Sequence, residues 1–274
     1  MSLRRSLLFV PGSRSERFAK AEASGADMVC IDLEDAVVAA EKDSARSAAL
    51  AHLANAAPVE RVIRINRVTE PEGQADLTAL ANSPDVPELV MLPKTESAEE
   101  VRQAVAALAG KSVGIIALIE SPRGLLNALA IAEADDSVEA LMFGGADFSA
   151  ELGSDMSWDA LLYARGQLAV VAAAAGVQLI DVPCLALKDE VALASETAKI
   201  ISLGFTCKSA IHPAQIAVIH QQFMPDAQAV EKAQRIIAAS ETAGGGVVNV
   251  DGAMVDRPVV IAAQRTLAMA DLSN

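Results

Sequence analysis

Residues 114–124, GIIALIESPRG, consist of an apolar run followed by a polar turn. Small and aliphatic residues lead directly to Glu120, and a turn containing Pro122 and Gly124 follows. A short apolar run bounded in this way is typical of a parallel strand that is buried on both faces. The carboxylate of Glu120 is therefore expected at the C-terminal edge of a sheet.

The same pattern recurs along the chain and predicts eight strands: Arg5–Val10, Met28–Leu33, Val59–Asn66, Leu89–Leu92, Val113–Ile119, Ala140–Phe143, Gln178–Val182 and Cys207–Ile211. Helix-forming segments lie between them, most clearly Glu41–Asn55, Ala98–Leu108, Leu125–Glu133, Trp158–Ala175 and Glu190–Leu203. Eight strand–helix units in roughly 220 residues predict an α/β fold of the (β/α)8 TIM barrel type, which typically needs about 250 residues. The alternative is an open doubly wound sheet, but the turn after the first strand, VPGSRS, has one glycine instead of a glycine-rich fingerprint.

The C-terminal residues differ from this pattern and predict a second part of the chain. We expect a barrel over residues 1–224 and a helix–hairpin–helix extension over residues 225–274. The extension would consist of a helix at Asp226–Thr242, a flexible joint at Gly244–Gly246, a hairpin turning at Asp251-Gly252, and a last helix with Pro258 near its first position. Such an extension is expected to act as a lid or as an arm that contacts a neighbouring subunit.

Composition excludes several classes of partner. The 274 residues are 52% hydrophobic, and 36 acidic against 22 basic residues give a net charge of −14. This charge disfavours nucleic acids and anionic membranes, although a local cluster of Arg and Lys can still bind a small anion. The N-terminal apolar run stops at Pro11, too early for a signal peptide, and three cysteines without CxxC spacing suit a reducing compartment. These features predict a cytoplasmic protein.

Charged residues lie near the end of the second to the eighth predicted strand or directly after it: Asp32, Glu34, Asp35, Arg64, Lys94, Glu120, Asp147, Asp181, Lys208 and His212. Because barrel active sites lie at the C-terminal strand ends, this succession predicts a functional site there. Glu120 and Asp147 follow adjacent strands, and two carboxylates completed by water and substrate are a usual Mg²⁺ site. Capping of the helices that follow, at Pro122 and Ser149, explains both carboxylates equally well.

Three further residues carry alternative interpretations. Arg64 ends an apolar strand and needs an oxyanion or carboxylate partner, which a buried salt bridge to Glu34 or Asp35 would also provide. Asp256 precedes Arg257-Pro258 and is therefore expected to cap the last helix, although a cap on a mobile extension can also be delivered into an active site. His212 precedes a proline and is expected to end a strand rather than to act in catalysis.

Eight motifs occur in the order of a known family: RRSLLFVPG, IDLEDAV, RIN, LPK, IES, FGGADF, KSAIHPAQ and VDGAMVDRP. Together they resemble the citrate lyase β-subunit-like family, which is grouped with malyl-CoA and citramalyl-CoA lyases in the HpcH/HpaI aldolase superfamily. The resemblance extends from Arg5 to about Gln264. It implies a phosphoenolpyruvate/pyruvate-type barrel with a C-terminal extension, assembled as homotrimers or hexamers.

The resemblance also implies roles for particular residues. Glu120 and Asp147 match the Mg²⁺ ligands, and Arg64 matches the arginine that contacts the oxo acid or the thioester oxygen. Asp256 matches an acidic residue that a neighbouring subunit contributes. The remaining matches are expected at the substrate and CoA: Arg17 and Lys20 at the CoA phosphates, and Lys94, Glu34 and Asp35 around the substrate.

The function implied by the resemblance is Mg²⁺-dependent carbon–carbon cleavage. A 3-hydroxyacyl-CoA such as malyl-CoA or citramalyl-CoA would yield acetyl-CoA and a 2-oxo acid, glyoxylate or pyruvate. Two alternatives stay open. One is a citrate lyase β subunit that acts on an acyl-carrier protein within a complex. The other is a thioesterase or a malate-synthase-like enzyme.

Overall fold

Strands β1–β8 of the computed structural model, which describes residues 4–244 and 246–271, form a closed barrel in which each strand pairs in parallel with its neighbours in sequence order. Their bounds are β1 Ser6–Pro11, β2 Met28–Asp32, β3 Glu60–Arg64, β4 Leu89–Leu92, β5 Gly114–Ile119, β6 Val138–Phe143, β7 Gln178–Asp181 and β8 Cys207–Ala210. Strand β8 returns to pair with β1 and closes the barrel. All eight predicted strands are therefore present, and the predicted (β/α)8 fold is confirmed.

The helices that alternate with these strands are α1 Phe18–Glu22, α2 Lys42–Leu53, α3 Pro71–Asn82, α4 Ala98–Ala107, α5 Pro122–Leu126, α6 Ala128–Ala132, α7 Gly145–Leu152, α8 Trp158–Ala175, α9 Glu190–Leu203 and α10 Gln215–Phe223. Helices α8 and α9 have the predicted bounds. The prediction of one helix at Leu125–Glu133 is wrong, because α5 and α6 are separated at Asn127. The Asn127 side chain donates to the carbonyl of Glu96 and so holds this break against the loop between β4 and α4.

The barrel interior is filled by apolar side chains that come from every strand. They include Leu7, Met28, Val62, Met91, Ile116, Leu118, Met142, Ile180 and Cys207, all 3% exposed or less. Because this core occupies the interior, the polar groups at the strand ends are confined to the barrel rim. The register of the strands then determines which of these groups are neighbours; Asp32, for example, pairs in register with Arg64.

The contacts divide the chain into two compact units, with the division between Ile219 and His220. The second unit contains helix α11 Ala227–Thr242, the antiparallel strands β9 Val248–Val250 and β10 Ala253–Val255, and helix α12 Arg257–Asp271. Asp251 and Gly252 both have positive φ, as a two-residue hairpin turn requires. The helix–hairpin–helix order is as predicted, whereas the predicted joint at Gly244–Gly246 includes Gly245, which lies outside the described residues.

The second unit has an apolar core of its own, formed by Ala233, Ile236, Val255 and Ala263. Asp226 caps α11, since its Oδ1 accepts the backbone N–H of Ala229 at 2.7 Å. Over residues 4–244 and 246–271, the helices are too short or too polar to cross a bilayer.

Candidate active site

A cavity of about 330 Å³ opens at the C-terminal ends of the barrel strands. Its polar lining consists of Asp32, Asp35, Arg64, Glu120 and Asp147. Its apolar lining includes Phe9, Leu118, Met142, Val182 and Ile211. The structure thus brings together four residues of the predicted site and one further carboxylate, Asp32. We call this space the reaction cavity.

Arg64 is held in the reaction cavity by a buried carboxylate of the neighbouring strand. Its Nε and Nη2 donate to Oδ1 and Oδ2 of Asp32 at 2.7 and 2.6 Å, and its Nη1 lies 3.0 Å from Oε2 of Glu34. The guanidinium carbon lies 5.3 Å from the centre of the Phe9 ring, a cation–π distance. The predicted salt bridge to Glu34 is present, but the principal partner is Asp32 and not Asp35. This arrangement fixes the planar guanidinium in one orientation.

Lys94 contacts both Glu34, which pairs with Arg64, and Glu120. Its Nζ donates to Glu34 Oε1 and lies 3.3 Å from Asp35 Oδ1, while its backbone N–H donates to Glu120 Oε1 at 2.6 Å. Burial lowers the pKa of Lys94, but the hydrogen bond to Glu34 and the charges of both carboxylates outweigh it, so that the pKa is raised. The backbone of Lys94 has a φ of 49°, an uncommon value for a residue other than glycine. The ammonium group of Lys94 is thus paired with carboxylates of the protein.

Glu120 is a buried carboxylate whose surroundings raise its pKa. Burial, reinforced by the nearby charge of Glu34, raises its pKa to about 8. A Cβ at Gly144 would lie 2.5 Å from Glu120 Cβ and 2.7 Å from its Oε2, so only glycine leaves room for this carboxylate. Asp147 lies in the first turn of α7, is exposed, and adds to the negative potential at Glu120. A cation between these two groups would relieve both effects.

The donor set fits Mg²⁺ better than a transition metal. Two carboxylates, Glu120 and Asp147, line the reaction cavity. In the described part of the chain, no group of three or more His, Cys, Asp or Glu residues is arranged to hold a metal. Mg²⁺ prefers oxygen ligands and retains several waters, so it needs only one or two carboxylates from the protein.

A second cavity, of about 310 Å³, adjoins the reaction cavity beside β1 and β8. Arg17 and Lys20 line it, and Phe9, Pro11 and Ile211 line both cavities. Both basic side chains are exposed. The three shared residues place these two surface cations in a cavity beside the reaction cavity.

Other charged strand ends are used within the protein. Asp181 and Lys208 pair with each other at 2.7 Å, are fully buried, and do not line the reaction cavity. Asn66 donates to Asp76, and His212 Nδ1 accepts the backbone N–H of Ala214. The expectation that all seven strand ends converge on one site is therefore too broad. In β7 and β8, the paired charges of Asp181 and Lys208 satisfy each other.

Asp256 belongs to the second unit and caps α12, as the sequence predicts. Its Oδ1 accepts the backbone N–H of Val259 at 3.4 Å, and its carbonyl accepts that of Val260. The side chain is half-buried and its capping bond is long.

Sequence reasoning placed Asp32 at a strand end without giving it a role, and it left Phe9 and Gly144 out of the site. Asp32 orients Arg64, Phe9 contacts Arg64, and Gly144 makes room for Glu120. Each is part of a motif that the sequence displays, IDLEDAV, RRSLLFVPG or FGGADF. Knowledge of the strand register would have found Asp32, since it lies opposite Arg64 in the adjacent strand.

A (β/α)8 barrel with two carboxylates and a carboxylate-bound arginine at its C-terminal rim defines a class of metal-assisted barrel enzymes. Residues 5–213 match the HpcH/HpaI aldolase/citrate lyase family, and the chain belongs to this family. The match confirms the resemblance that the motifs indicated.

The similar proteins have three related activities. Citramalyl-CoA lyase of Homo sapiens is 33% identical over 97% of this chain and 85% of its own length. The citrate lyase subunit beta of Leuconostoc mesenteroides subsp. cremoris is 35% identical (99% and 95%), and the (3S)-malyl-CoA thioesterase of Cereibacter sphaeroides is 36% identical (97% and 94%).

The crystal structure of CitE from Mycobacterium tuberculosis in complex with magnesium, acetoacetate and coenzyme A superimposes with a TM-score of 0.84. It is 35% identical to this chain and covers 97% of it and 98% of the CitE chain.

Proposed function

We propose that this chain is a Mg²⁺-dependent lyase that cleaves or forms a 3-hydroxyacyl-CoA thioester, with acetyl-CoA and a 2-oxo acid as the other reactants. The observation that carries the proposal is the presence of Glu120, Asp147 and Arg64 in one cavity at the C-terminal strand ends. The similar CitE structure, with magnesium, acetoacetate and coenzyme A, supports it.

Glu120 and Asp147 would hold the metal, and the metal supplies a Lewis acid for the oxygens of the oxo acid. Arg64 would stabilise negative charge on a reacting oxygen, and its clamp by Asp32 orients it before substrate binds. Lys94, Glu34 and Asp35 would hold this arginine and Glu120 in place around the substrate.

Cleavage requires two proton transfers. A general base takes the proton of the C3 hydroxyl, the electrons of that O–H bond form the carbonyl of the 2-oxo acid, and the C2–C3 bond breaks. The bond electrons pass to the thioester as an enolate, which takes a proton at carbon and becomes acetyl-CoA. We assign this proton at carbon to Asp256, contributed by a neighbouring copy in a homotrimer or hexamer. The family resemblance and the weak capping bond of Asp256 support the assignment.

Arg17 and Lys20 would bind the CoA phosphates. They line a cavity that shares Phe9, Pro11 and Ile211 with the reaction cavity, so a long thioester could contact both. Exposed cations give such phosphate contacts in a chain whose net charge is otherwise negative.

The test is a mass-spectrometric assay of the purified protein with acetyl-CoA and either glyoxylate or pyruvate, first with Mg²⁺ and then with EDTA. We expect malyl-CoA or citramalyl-CoA, lost on chelation, and strongly reduced in Asp256→Asn. Release of CoA from added malyl-CoA without formation of acetyl-CoA and glyoxylate would instead identify a thioesterase, the activity in the name of the Cereibacter relative.

A second candidate is a citrate lyase β subunit, favoured by the 35% identity to the Leuconostoc protein over 99% of this chain. It predicts no reaction with CoA esters but cleavage of a citryl group on an acyl-carrier protein. Copurification with such a carrier would separate this candidate from the free-standing lyase.

A further inference from the structure

A third cavity, of about 430 Å³, lies between α8, α9 and the loop that follows β7. It adjoins the reaction cavity at Val182 and Pro183, which line both spaces. Neither the proposed metal ligands nor Arg64 line it. The proposed lyase reaction therefore leaves this cavity without a use, and we call it the α8–α9 cavity.

Arg165 is the buried cation of the α8–α9 cavity, and its hydrogen bonding is incomplete. The residue is 6% exposed, and its Nε donates to Asp181 Oδ1 at 2.9 Å. Its Nη1 is buried and has no hydrogen-bond partner among the described residues. The guanidinium carbon lies 5.0 Å from the centre of the Trp158 ring and 5.1 Å from that of Phe143, so aromatic rings stabilise the charge while Nη1 still lacks a hydrogen-bond acceptor in the described part of the chain.

The charges around the cavity leave an excess of positive charge. Asp181 is fully buried and is shared by Arg165 and Lys208, while Glu196 lies 3.3 Å from Lys208. Lys199 adds a third cation, whose Nζ lies 5.2 Å from the centre of the Trp158 ring. The lining itself thus carries two cations, Arg165 and Lys199, against one carboxylate, Glu196, which also pairs with the buried Lys208. An anion that reaches Arg165 would balance these two cations.

The other residues that line the cavity are mostly apolar, which indicates that the non-ionic part of the ligand is apolar as well. Met156, Trp158, Val182, Pro183 and Leu185 line the cavity, and the Leu185 side chain is 62% exposed. A polyanion would be poorly solvated beside such walls, whereas a carboxylate on a short branched or linear hydrocarbon would bury apolar surface and pair with the guanidinium. We propose that the α8–α9 cavity is a second binding site, separate from the reaction cavity, for a small organic carboxylate with an apolar body.

The chain contains a single tryptophan, Trp158, and this residue lines the cavity, so its fluorescence reports on occupancy directly. The full chain in EDTA is titrated with 4-methylpentanoate, with the neutral 4-methylpentanamide of the same shape, and with inorganic phosphate. We expect a saturable change in tryptophan emission with the carboxylate, and at least about tenfold weaker binding of the amide and of phosphate. Equal binding of acid and amide, or tighter binding of phosphate, would overturn the proposal.

Substitutions show in which of the two cavities the ligand binds. Lys199→Gln should weaken binding by about 3- to 5-fold, as expected for one exposed cation, and Lys188→Gln is the matched control, since Lys188 is exposed nearby but does not line the cavity. Arg165→Met should weaken it by at least about tenfold if the variant folds. The response should persist in Arg64→Met. Loss in Arg64→Met with retention in Lys199→Gln would place the ligand in the reaction cavity and refute the second site.

Discussion

Replacing Arg64 with methionine removes the cation that two buried carboxylates share. Asp32 is 3% exposed and Glu34 is 5% exposed, and both would lose an ion pair to Arg64. Some compensation remains, because Asp32 still accepts the backbone N–H groups of Glu34 and Ala36, and Glu34 still binds Lys94. We therefore expect a loss of about 3 kcal/mol in the free energy of unfolding, at the lower end of the range for breaking a buried pair.

The same substitution should lower turnover by about 10²- to 10³-fold, the usual cost of removing a donor that stabilises an oxyanion. Arg64→Lys separates charge from geometry. Lysine keeps the positive charge beside Asp32 but cannot form two parallel hydrogen bonds to it. This variant should be more stable than Arg64→Met and yet lose at least about tenfold in turnover, about 1.4 kcal/mol of transition-state stabilisation.

Arg46→Met is the matched control for stability. Arg46 joins α2 to α3 through buried Asp76, and its side chain is 12% exposed against 13% for Arg64. Urea denaturation should show comparable destabilisation of Arg46→Met and Arg64→Met, while the lyase assay with Mg²⁺ shows near-normal turnover for Arg46→Met alone. A folded Arg64→Met enzyme with turnover within about threefold of the wild type would refute the role of Arg64.

Three further predictions concern the metal and the thioester. Asp147→Asn should raise the Mg²⁺ concentration for half-maximal activity by at least about tenfold with little change in stability, because the residue is exposed; an unchanged Mg²⁺ requirement would contradict its role as a ligand. Lys20→Ala should raise the KM for the CoA thioester by about 3- to 10-fold without lowering kcat, and the difference from the wild type should shrink as salt increases. Gly144→Ala should displace Glu120 and weaken Mg²⁺ binding measured by calorimetry, whereas Gly166→Ala, where a Cβ meets nothing within 4 Å, should bind Mg²⁺ normally and gain up to about 1 kcal/mol of stability.

The strands were predictable because their burial is encoded locally. Most of these buried parallel strands are apolar on both faces, so their bounds appear in the sequence as short apolar runs that end in polar turns; β8, with its buried Lys208, is an exception. The helix prediction failed at Asn127 because the break there depends on a hydrogen bond to the carbonyl of Glu96, which is remote in sequence. A local pattern carries no record of such a contact.

The barrel, the family motifs and the residue types at the rim, including Glu120, Asp147 and Arg64, could all be predicted from the order of residues. How those groups are used depends on the tertiary structure. Closure of the barrel sets the register that places Asp32 opposite Arg64 and Asp181 opposite Lys208. The first pair lies in the reaction cavity, and the second is buried away from it. In both pairs, opposite charges on adjacent strands neutralise each other where the fold brings them together.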